Sequence, residues 1–229
     1  MTRTPESVRI NTLQLLQEVR QTAEAAGRAP NSVQVMAVTK TVEPALVNVA
    51  LQNGIRLLGE NRSSELLEKY QAYQVDADQI HFIGHLQTNK VKYIIDKVSM
   101  IESLDSIRLA QTIQSCAALQ GITMDVLVQI NIGNEPSKSG IRSEELEDFL
   151  GKLVSFSALR VRGLMAIPPK ENYIECFAKM QKIFVDTQGK TSDNITMEHL
   201  SMGMTSDYKD AIRYGSTIVR IGTGLFGQR

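Results

Sequence analysis

Hydrophobic positions in this chain follow two patterns that alternate along its length. Short, nearly continuous apolar runs are typical of buried strands, and longer stretches with apolar residues every three or four positions are typical of amphipathic helices. In the stretch 105–120, for example, Ile107, Ala110, Ile113 and Ala117 form one apolar stripe. The runs predict strands over 33–39, 55–59, 80–84, 99–103, 123–132, 160–167, 195–201 and 217–221. The stripes predict helices over 5–27, 43–53, 62–73, 88–97, 105–120, 143–154, 171–189 and 206–213.

This alternation of strands with helices predicts an α/β fold built on a parallel sheet. The count of eight strands favours a closed (β/α)8 TIM barrel over an open, doubly wound sheet. Helix 5–27 precedes the first strand and is therefore an extra N-terminal helix. No Gly/Ser/Pro-rich linker interrupts the pattern, so we expect a single domain over residues 1–229.

Composition excludes several classes of partner. The 229 residues carry a formal net charge of zero and no long basic run, so we expect neither a nucleic acid nor a membrane partner.

The chain starts without the apolar segment of a signal peptide, and no stretch reaches transmembrane length, so we expect a cytoplasmic protein. Cys116 and Cys176 are expected to be reduced thiols, and the three histidines lack metal-ligand spacing, so no metal site is expected.

Lys40 directly follows the first predicted strand, 33–39, which places a primary amine at the carboxyl end of a barrel strand. That end carries the active sites of TIM barrels. A lysine amine that burial has desolvated loses its proton more easily, and the neutral amine can attack a carbonyl to form a Schiff base. The alternative is a solvated lysine that marks where the strand stops.

Glycine-containing turns follow the last two predicted strands, at Gly203 and at Gly222 and Gly224. Loops after strands seven and eight of a TIM barrel frequently bind phosphate, because glycine lets backbone N–H groups approach an anion closely. Hydroxyl donors near these turns are Ser201, Thr205 and Thr223. An amine and a phosphate cradle in one mouth indicate pyridoxal 5'-phosphate (PLP) or a phosphorylated sugar as the ligand.

Arg220 ends the last predicted strand, two residues before the glycine turn, so it is expected to point into the barrel mouth. It has two interpretations. One is a barrel arginine paired with an interior carboxylate such as Glu102 or Glu198. The other is a hydrogen bond to the pyridine nitrogen of PLP, since groups at that position tune the cofactor.

Seven motifs spread over the whole chain resemble those of the pyridoxal phosphate homeostasis protein family, whose barrel is similar to the amino-terminal domain of alanine racemase and has the fold-type III architecture of PLP-binding barrels. They are AVTK at 37–40, GENR at 59–62, HFIGHLQTNK at 81–90, NIGNEPSKSG at 131–140, GLMA at 163–166, LSMGM at 200–204 and GSTIVRIGT at 215–223. Two departures from the family pattern are Thr205-Ser206 in place of Ser-Asp and Gly224 in place of alanine.

The resemblance implies roles for particular residues. It implies that Lys40 holds PLP as an internal aldimine, that Arg220 faces the ring nitrogen and that Asn61 lies beside the cofactor. The residues it implies for phosphate binding are Ser201, Met202, Gly203, Gly222 and Thr223.

We expect a cofactor-handling protein rather than an enzyme. An arginine beside the pyridine nitrogen keeps the ring unprotonated, which makes it a poorer electron sink. Racemases with this arrangement use a second acid/base from outside the barrel, whereas this sequence ends at Arg229. The tyrosines nearest to the expected mouth are Tyr208, in the predicted helix 206–213, and Tyr214, near the end of that helix.

The expected function is PLP (vitamin B6) homeostasis in a monomer. Lys40 would exchange PLP with incoming amines by transimination and so supply PLP-dependent apo-enzymes. The alternatives are an amino-acid racemase that uses PLP and, third, a Schiff-base aldolase acting on a phosphorylated sugar.

Overall fold

Eight parallel strands close into a barrel in the computed structural model, which describes residues 3–190 and 192–228. Each strand pairs with the next along the chain, and the eighth pairs with the first. The strands are β1 Gln34–Val38, β2 Leu57–Glu60, β3 Ile80–Phe82, β4 Met100–Leu104, β5 Met124–Ile130, β6 Leu159–Ala166, β7 Ile195–Met204 and β8 Ile218–Ile221. The α-helices in the described residues are α1 Pro5–Ala25, α2 Pro44–Gln52, α3 Ser63–Lys69, α4 Val91–Ile94, α5 Ile107–Leu119, α6 Leu146–Leu153, α7 Tyr173–Gln188, α8 Tyr208–Arg213 and α9 Thr223–Phe226.

The predicted TIM barrel and its N-terminal helix are confirmed, and the differences lie at the ends of elements. The helix predicted over 88–97 is a 3-10 turn over Thr88–Lys90 followed by the four-residue α4. Strand β7 runs three residues beyond its predicted end at residue 201. Helix α9 was not predicted, because four residues are too few to show a helical period. Of the predicted domain, residues 1, 2, 191 and 229 lie outside the described residues.

Side chains alternate between the inside of the barrel and the layer under the helices. Met36 and Val38 of β1 belong to one buried cluster with Ile218 of β8, whereas the intervening Ala37 belongs to the large cluster beneath the helices. This alternation is the two-residue period of a strand. A closed barrel of this size has an interior that side chains fill, so its chemistry is confined to the ends.

Helix α1 packs beside the junction of β1 and β8 and contacts α2, α8 and α9. It begins with a capping box, in which the Thr4 hydroxyl accepts from the Ser7 amide and the Ser7 hydroxyl accepts from the Thr4 amide. The Asn11 side chain donates to the Leu225 carbonyl at 3.0 Å, and Arg28, which follows the helix, donates to the Ser216 carbonyl at 2.8 Å. The N-terminal helix thus secures the last strand and the turn after it.

Two further features bear on the sequence expectations. Within residues 3–190 and 192–228, none of the helices combines the length and apolar character needed to cross a membrane. Cys116 and Cys176 are both free thiols.

Gly163 shows how tightly the barrel wall is packed. It has φ +149° in β6, and a Cβ atom placed there would lie 1.9 Å from the carbonyl oxygen of His199 in β7. Only a glycine fits this contact between two strands, since the obstructing atom belongs to the backbone.

We therefore predict that Gly163→Ala destabilises the fold by about 2 kcal/mol or more, which lowers the melting temperature by several degrees. The matched control is Gly151→Ala in α6, where a Cβ meets no atom within 4 Å. That change is expected to be neutral or to stabilise by up to about 1 kcal/mol. Equal melting temperatures for the two variants would contradict this account of the wall.

Candidate functional site

Lys40 and the turn after β8 lie side by side at the carboxyl end of the barrel. A small open cavity of about 50 Å³ is lined by Lys40, Gly222 and Thr223, together with Val38 and Arg3. Lys40 lies two residues beyond β1, and Gly222 and Thr223 follow β8, which pairs with β1. The structure therefore brings the predicted amine and the predicted glycine turn together.

Asn61 lies further round the same mouth, at the end of β2. It lines two other cavities, of about 250 Å³ and 560 Å³, rather than the one that contains Lys40. Its side-chain oxygen is buried and has no hydrogen-bond partner. Buried polar atoms are normally paired, so this unpaired acceptor fits a site that a ligand completes.

The side chain of Lys40 is exposed, so the desolvated amine expected from the sequence is not what the structure shows. What is fixed is the backbone on either side of it, residues 39–41. The Lys69 ammonium donates to the Thr39 carbonyl at 3.1 Å, and the Thr41 amide donates to the Glu65 carboxylate at 2.8 Å. Lys69 and Glu65 also pair with each other at 2.8 Å. This clamp from α3 sets the direction in which Lys40 leaves the strand.

Thr41 adopts φ +59°, an uncommon conformation for a residue with a branched side chain. Its carbonyl accepts a hydrogen bond from Arg3 at 2.9 Å, so both polar backbone groups of Thr41 have charged partners. These contacts hold the strained residue in place.

Glu60 is fully buried on the outer side of the barrel wall, where it accepts hydrogen bonds from the hydroxyls of Thr39 and Tyr73. Burial raises the pKa of Glu60 above its usual value. The carboxyl group therefore supports the residue before Lys40 and does not face the mouth.

The turn after β8 leads directly into α9. The carbonyl of Gly222 accepts from the amides of Leu225 and Phe226 at 3.0 Å each, and the Thr205 hydroxyl accepts from the Gly224 amide at 3.2 Å. Thr205, one of the hydroxyl donors suggested by the sequence, is thus adjacent to the turn. This pairing joins the end of β7 to the turn after β8.

Gly203 is a glycine for structural reasons. It has φ +94°, and a Cβ atom there would lie 2.5 Å from the Cβ of Ala211 in α8. The position permits close packing of β7 against α8.

Ser201 and Met202 lie inside the barrel wall rather than at the turn, and the phosphate-binding role that the resemblance implies for them stays a prediction. Both are fully buried within β7, which extends to Met204. The Ser201 hydroxyl donates to Glu102 at 2.6 Å and accepts from Arg220 at 2.7 Å, and Met202 packs in the cluster beneath the helices. The physical reason is the additional length of β7, which moves the start of the loop to residue 205.

Arg220 points into the barrel, where it is only 4% exposed. Its guanidinium donates to the Ser201 hydroxyl at 2.7 Å and to the Ala166 carbonyl at 2.8 Å. The interior carboxylate is Glu102, reached through Ser201, and not Glu198, which pairs with Arg162 at 2.6 Å. Glu102 also bonds the His81 ring at 2.7 Å.

The charge of Glu102 is maintained despite complete burial. Burial alone would raise its pKa, but the hydrogen bond and charge of His81, with Arg220 and Ser201, hold the pKa of Glu102 below its usual value. Burial lowers the pKa of Arg220, while Glu102 and Asp207 oppose that effect.

The residues that support the site have no clear signal in the sequence. Glu65 and Lys69 are four residues apart on α3, a spacing that signals an ion pair, but nothing in that spacing points to residues 39–41. His81 and Glu102 lie on adjacent strands, but the register pairs His81 with Met100, so its contact with Glu102 is diagonal and has no signal in the sequence. In residues 3–190 and 192–228, no group of three or more His, Cys, Asp or Glu side chains is arranged to hold a metal ion.

Comparisons with known proteins show which family and which fold the chain resembles. Residues 10–229 match the family model described as the N-terminal domain of alanine racemase. The chain is 40% identical over 220 residues to the pyridoxal phosphate homeostasis protein of Aquifex aeolicus, which covers 94% of this chain and 95% of that one.

Two solved structures are similar throughout. An unknown protein from Bifidobacterium adolescentis superposes with a TM-score of 0.92 at 31% identity, covering 97% of this chain and 95% of that one. PipY of Synechococcus elongatus with PLP bound superposes with a TM-score of 0.76 at 29% identity, covering 91% and 100% of the two chains.

The clamp on residues 39–41 leads to a prediction. Lys69→Met removes the donor to the Thr39 carbonyl and the close ion-pair partner of the half-buried Glu65, which keeps only a longer pair with Arg62 at 3.8 Å. We expect a loss of about 1–3 kcal/mol in unfolding free energy and faster hydrogen exchange at the Thr41 amide. The matched control is Lys182→Met, which breaks an exposed pair of the same spacing with Asp186 at 2.7 Å.

The control is expected to change stability by less than about 0.5 kcal/mol. Exchange at Thr41 that is the same in the Lys69 variant and the wild-type protein would exclude the clamp.

Proposed function

Because the chain belongs to the pyridoxal phosphate homeostasis protein family, we propose that it holds PLP covalently on Lys40 and exchanges it with other amines. The observation that carries this proposal is the shared cavity of Lys40, Gly222 and Thr223, which joins an amine to a glycine turn able to bind phosphate. PipY, a relative with the same barrel, has PLP bound.

The residues present fit this cofactor. When bound, PLP supplies an aldehyde that condenses with an amine, with loss of water, and can later be passed to another amine. Backbone N–H groups of the turn at Gly222 and Thr223, with the hydroxyls of Thr205 and Thr223, are the donors available to its phosphate. The unpaired Asn61 oxygen and the Arg220 guanidinium are the polar groups available to its ring.

Exchange of cofactor, rather than catalysis on an amino acid, is the activity that the surroundings of Lys40 favour. The exposed Lys40 amine is open to an incoming amine from solvent. Arg220 retains its positive charge near neutral pH and favours an unprotonated ring, which weakens the cofactor as an electron sink.

The two tyrosines nearest to the expected mouth, Tyr208 and Tyr214, make other contacts. The Tyr208 hydroxyl bonds Glu18 of α1 at 2.7 Å, and Tyr214 packs against the cluster beneath the helices. The carboxylates that an aldolase would need as acid or base also have hydrogen-bond partners, since Glu60 accepts from Thr39 and Glu102 bonds His81 and Ser201. A carrier needs neither kind of group.

We propose that this exchange supplies PLP to apo-enzymes and buffers free PLP, and thereby contributes to the balance of vitamin B6. The proposal includes a cytoplasmic monomer, the state expected from the sequence.

Lys40→Ala is predicted to abolish covalent loading with PLP. Purified protein is incubated with PLP, reduced with borohydride and digested, and the modified peptide is identified by mass. The wild-type protein is expected to carry the label on Lys40. Lys90→Ala and Lys138→Ala serve as matched controls, because both lysines also lie at the carboxyl end of the barrel, and they are expected to load normally. Labelling of Lys40→Ala at the wild-type level would disprove the assignment.

A second prediction separates a carrier from a racemase. Loaded wild-type protein is expected to reactivate a defined PLP-dependent apo-enzyme in the presence of a scavenger that removes free PLP, whereas Lys40→Ala is not. The same protein is expected to racemise alanine no faster than an equal concentration of free PLP. Racemisation far above that rate would show a racemase and overturn the carrier proposal.

A further inference from the structure

A continuous chain of hydrogen bonds crosses the barrel interior and ends on Arg220. It runs from His81 on β3 to Glu102 on β4, to Ser201 on β7 and to Arg220 on β8. The three distances are 2.7, 2.6 and 2.7 Å. All four residues are buried, so water does not compete for these bonds.

The direction of each bond follows from the charges at its ends. An ionised carboxylate has no hydrogen to donate, so both oxygens of Glu102 accept. The Ser201 hydroxyl must then donate to Glu102, and its own oxygen accepts from Arg220. The His81 nitrogen that faces Glu102 must carry a hydrogen. Every hydrogen in the chain therefore points towards Glu102.

This direction leaves Ser201 no hydrogen for a ligand. Its only hydroxyl hydrogen is used by Glu102 at 2.6 Å, and rotating it away would leave one oxygen of a fully buried carboxylate unpaired. An unpaired buried carboxylate oxygen is strongly unfavourable. Ser201 therefore acts within the barrel as a bridge between two opposite charges.

Arg220 needs that bridge because its other bonded partner is neutral. The Ala166 carbonyl supplies a partial charge at 2.8 Å, whereas Glu102 supplies a full charge that the solvent does not screen. Asp207 adds a second negative charge that acts on Arg220, but it makes no ion pair with the guanidinium in the described residues and accepts instead from the Met204 amide at 2.6 Å. The position of the guanidinium thus depends on Ser201 and Glu102.

We propose that Glu102, acting through Ser201, is a positioning residue that fixes the Arg220 guanidinium against the ring side of the cofactor site. The inference rests on the proposed function, since it assigns Arg220 to the ring of bound PLP. His81 holds the second oxygen of Glu102 and keeps the carboxylate from turning away from Ser201.

The test compares Ser201→Ala and Glu102→Gln with Glu198→Gln, a matched control that removes an exposed barrel carboxylate paired with Arg162. PLP binding is followed by titration and by the absorption spectrum of the loaded protein, because absorption of bound PLP responds to the charge beside its ring nitrogen. We expect Ser201→Ala to shift the spectrum and weaken binding by about 2- to 10-fold, and Glu102→Gln by more. The Glu198 variant is expected to match the wild-type protein in both measurements.

A second measurement needs no cofactor and covers the case in which Glu102→Gln folds poorly. Melting temperatures of the unloaded Ser201→Ala, Arg220→Met and double variants form a mutant cycle. We expect the double variant to lose less than the sum of the two single losses, because both changes break the same bond. Additive losses would overturn the inference.

The outcomes separate this inference from the proposed function. If the wild-type protein loads PLP but Ser201→Ala and Glu102→Gln keep its spectrum and affinity, the positioning role is wrong while the carrier function stands. If the wild-type protein takes up no PLP, the proposed function has failed and the positioning role fails with it, even when the cycle shows coupling between Ser201 and Arg220.

Discussion

The hydrogen bonds between β1 and β8 are the constraint on which the site depends. Their register aligns Met36 with Arg220 and Ala37 with Ile221. Lys40 lies three residues beyond Ala37, and Gly222 follows Ile221 directly, so the amine and the glycine turn emerge at neighbouring points of one rim. A shift of one residue in this pairing would turn Arg220 out of the barrel, because successive side chains of a strand face opposite sides.

The barrel separates two kinds of charge. The amine of Lys40 is exposed, and its position is set by the neighbouring backbone, which Lys69 and Glu65 of α3 hold by hydrogen bonds. The guanidinium of Arg220 is buried, and its position is set by the Ser201 hydroxyl, which links it to the negative charge of Glu102. The proposed exchange of PLP needs an accessible nucleophile and a fixed contact to the ring, and these are the roles that the proposal gives to Lys40 and Arg220.

The sequence predicted the fold well because the hydrophobic residues of each strand and of most helices follow a clear pattern. The order of these strands and helices is also compatible with few sheet topologies. It also predicted which loops meet, since the closed barrel brings the ends of β1 and β8 together. It did not predict the side-chain contacts around them. Ser201 was expected at the glycine turn, but the length of β7 depends on a register shift against β8 that hydrophobic pattern does not encode. The contacts of Glu65 and Glu102 likewise depend on tertiary packing between distant segments.

The packing of α1 beside the junction of β1 and β8 has a consequence for how the protein is made. A nascent chain exposes helix α1 and the lysine long before the strand that carries Arg220 has left the ribosome. Until then the apolar face of α1 lacks α8 and α9, and Lys40 has no glycine turn beside it. The two halves of the proposed site therefore come together only late in synthesis, when the final strand completes the ring and the earliest helix gains its partners.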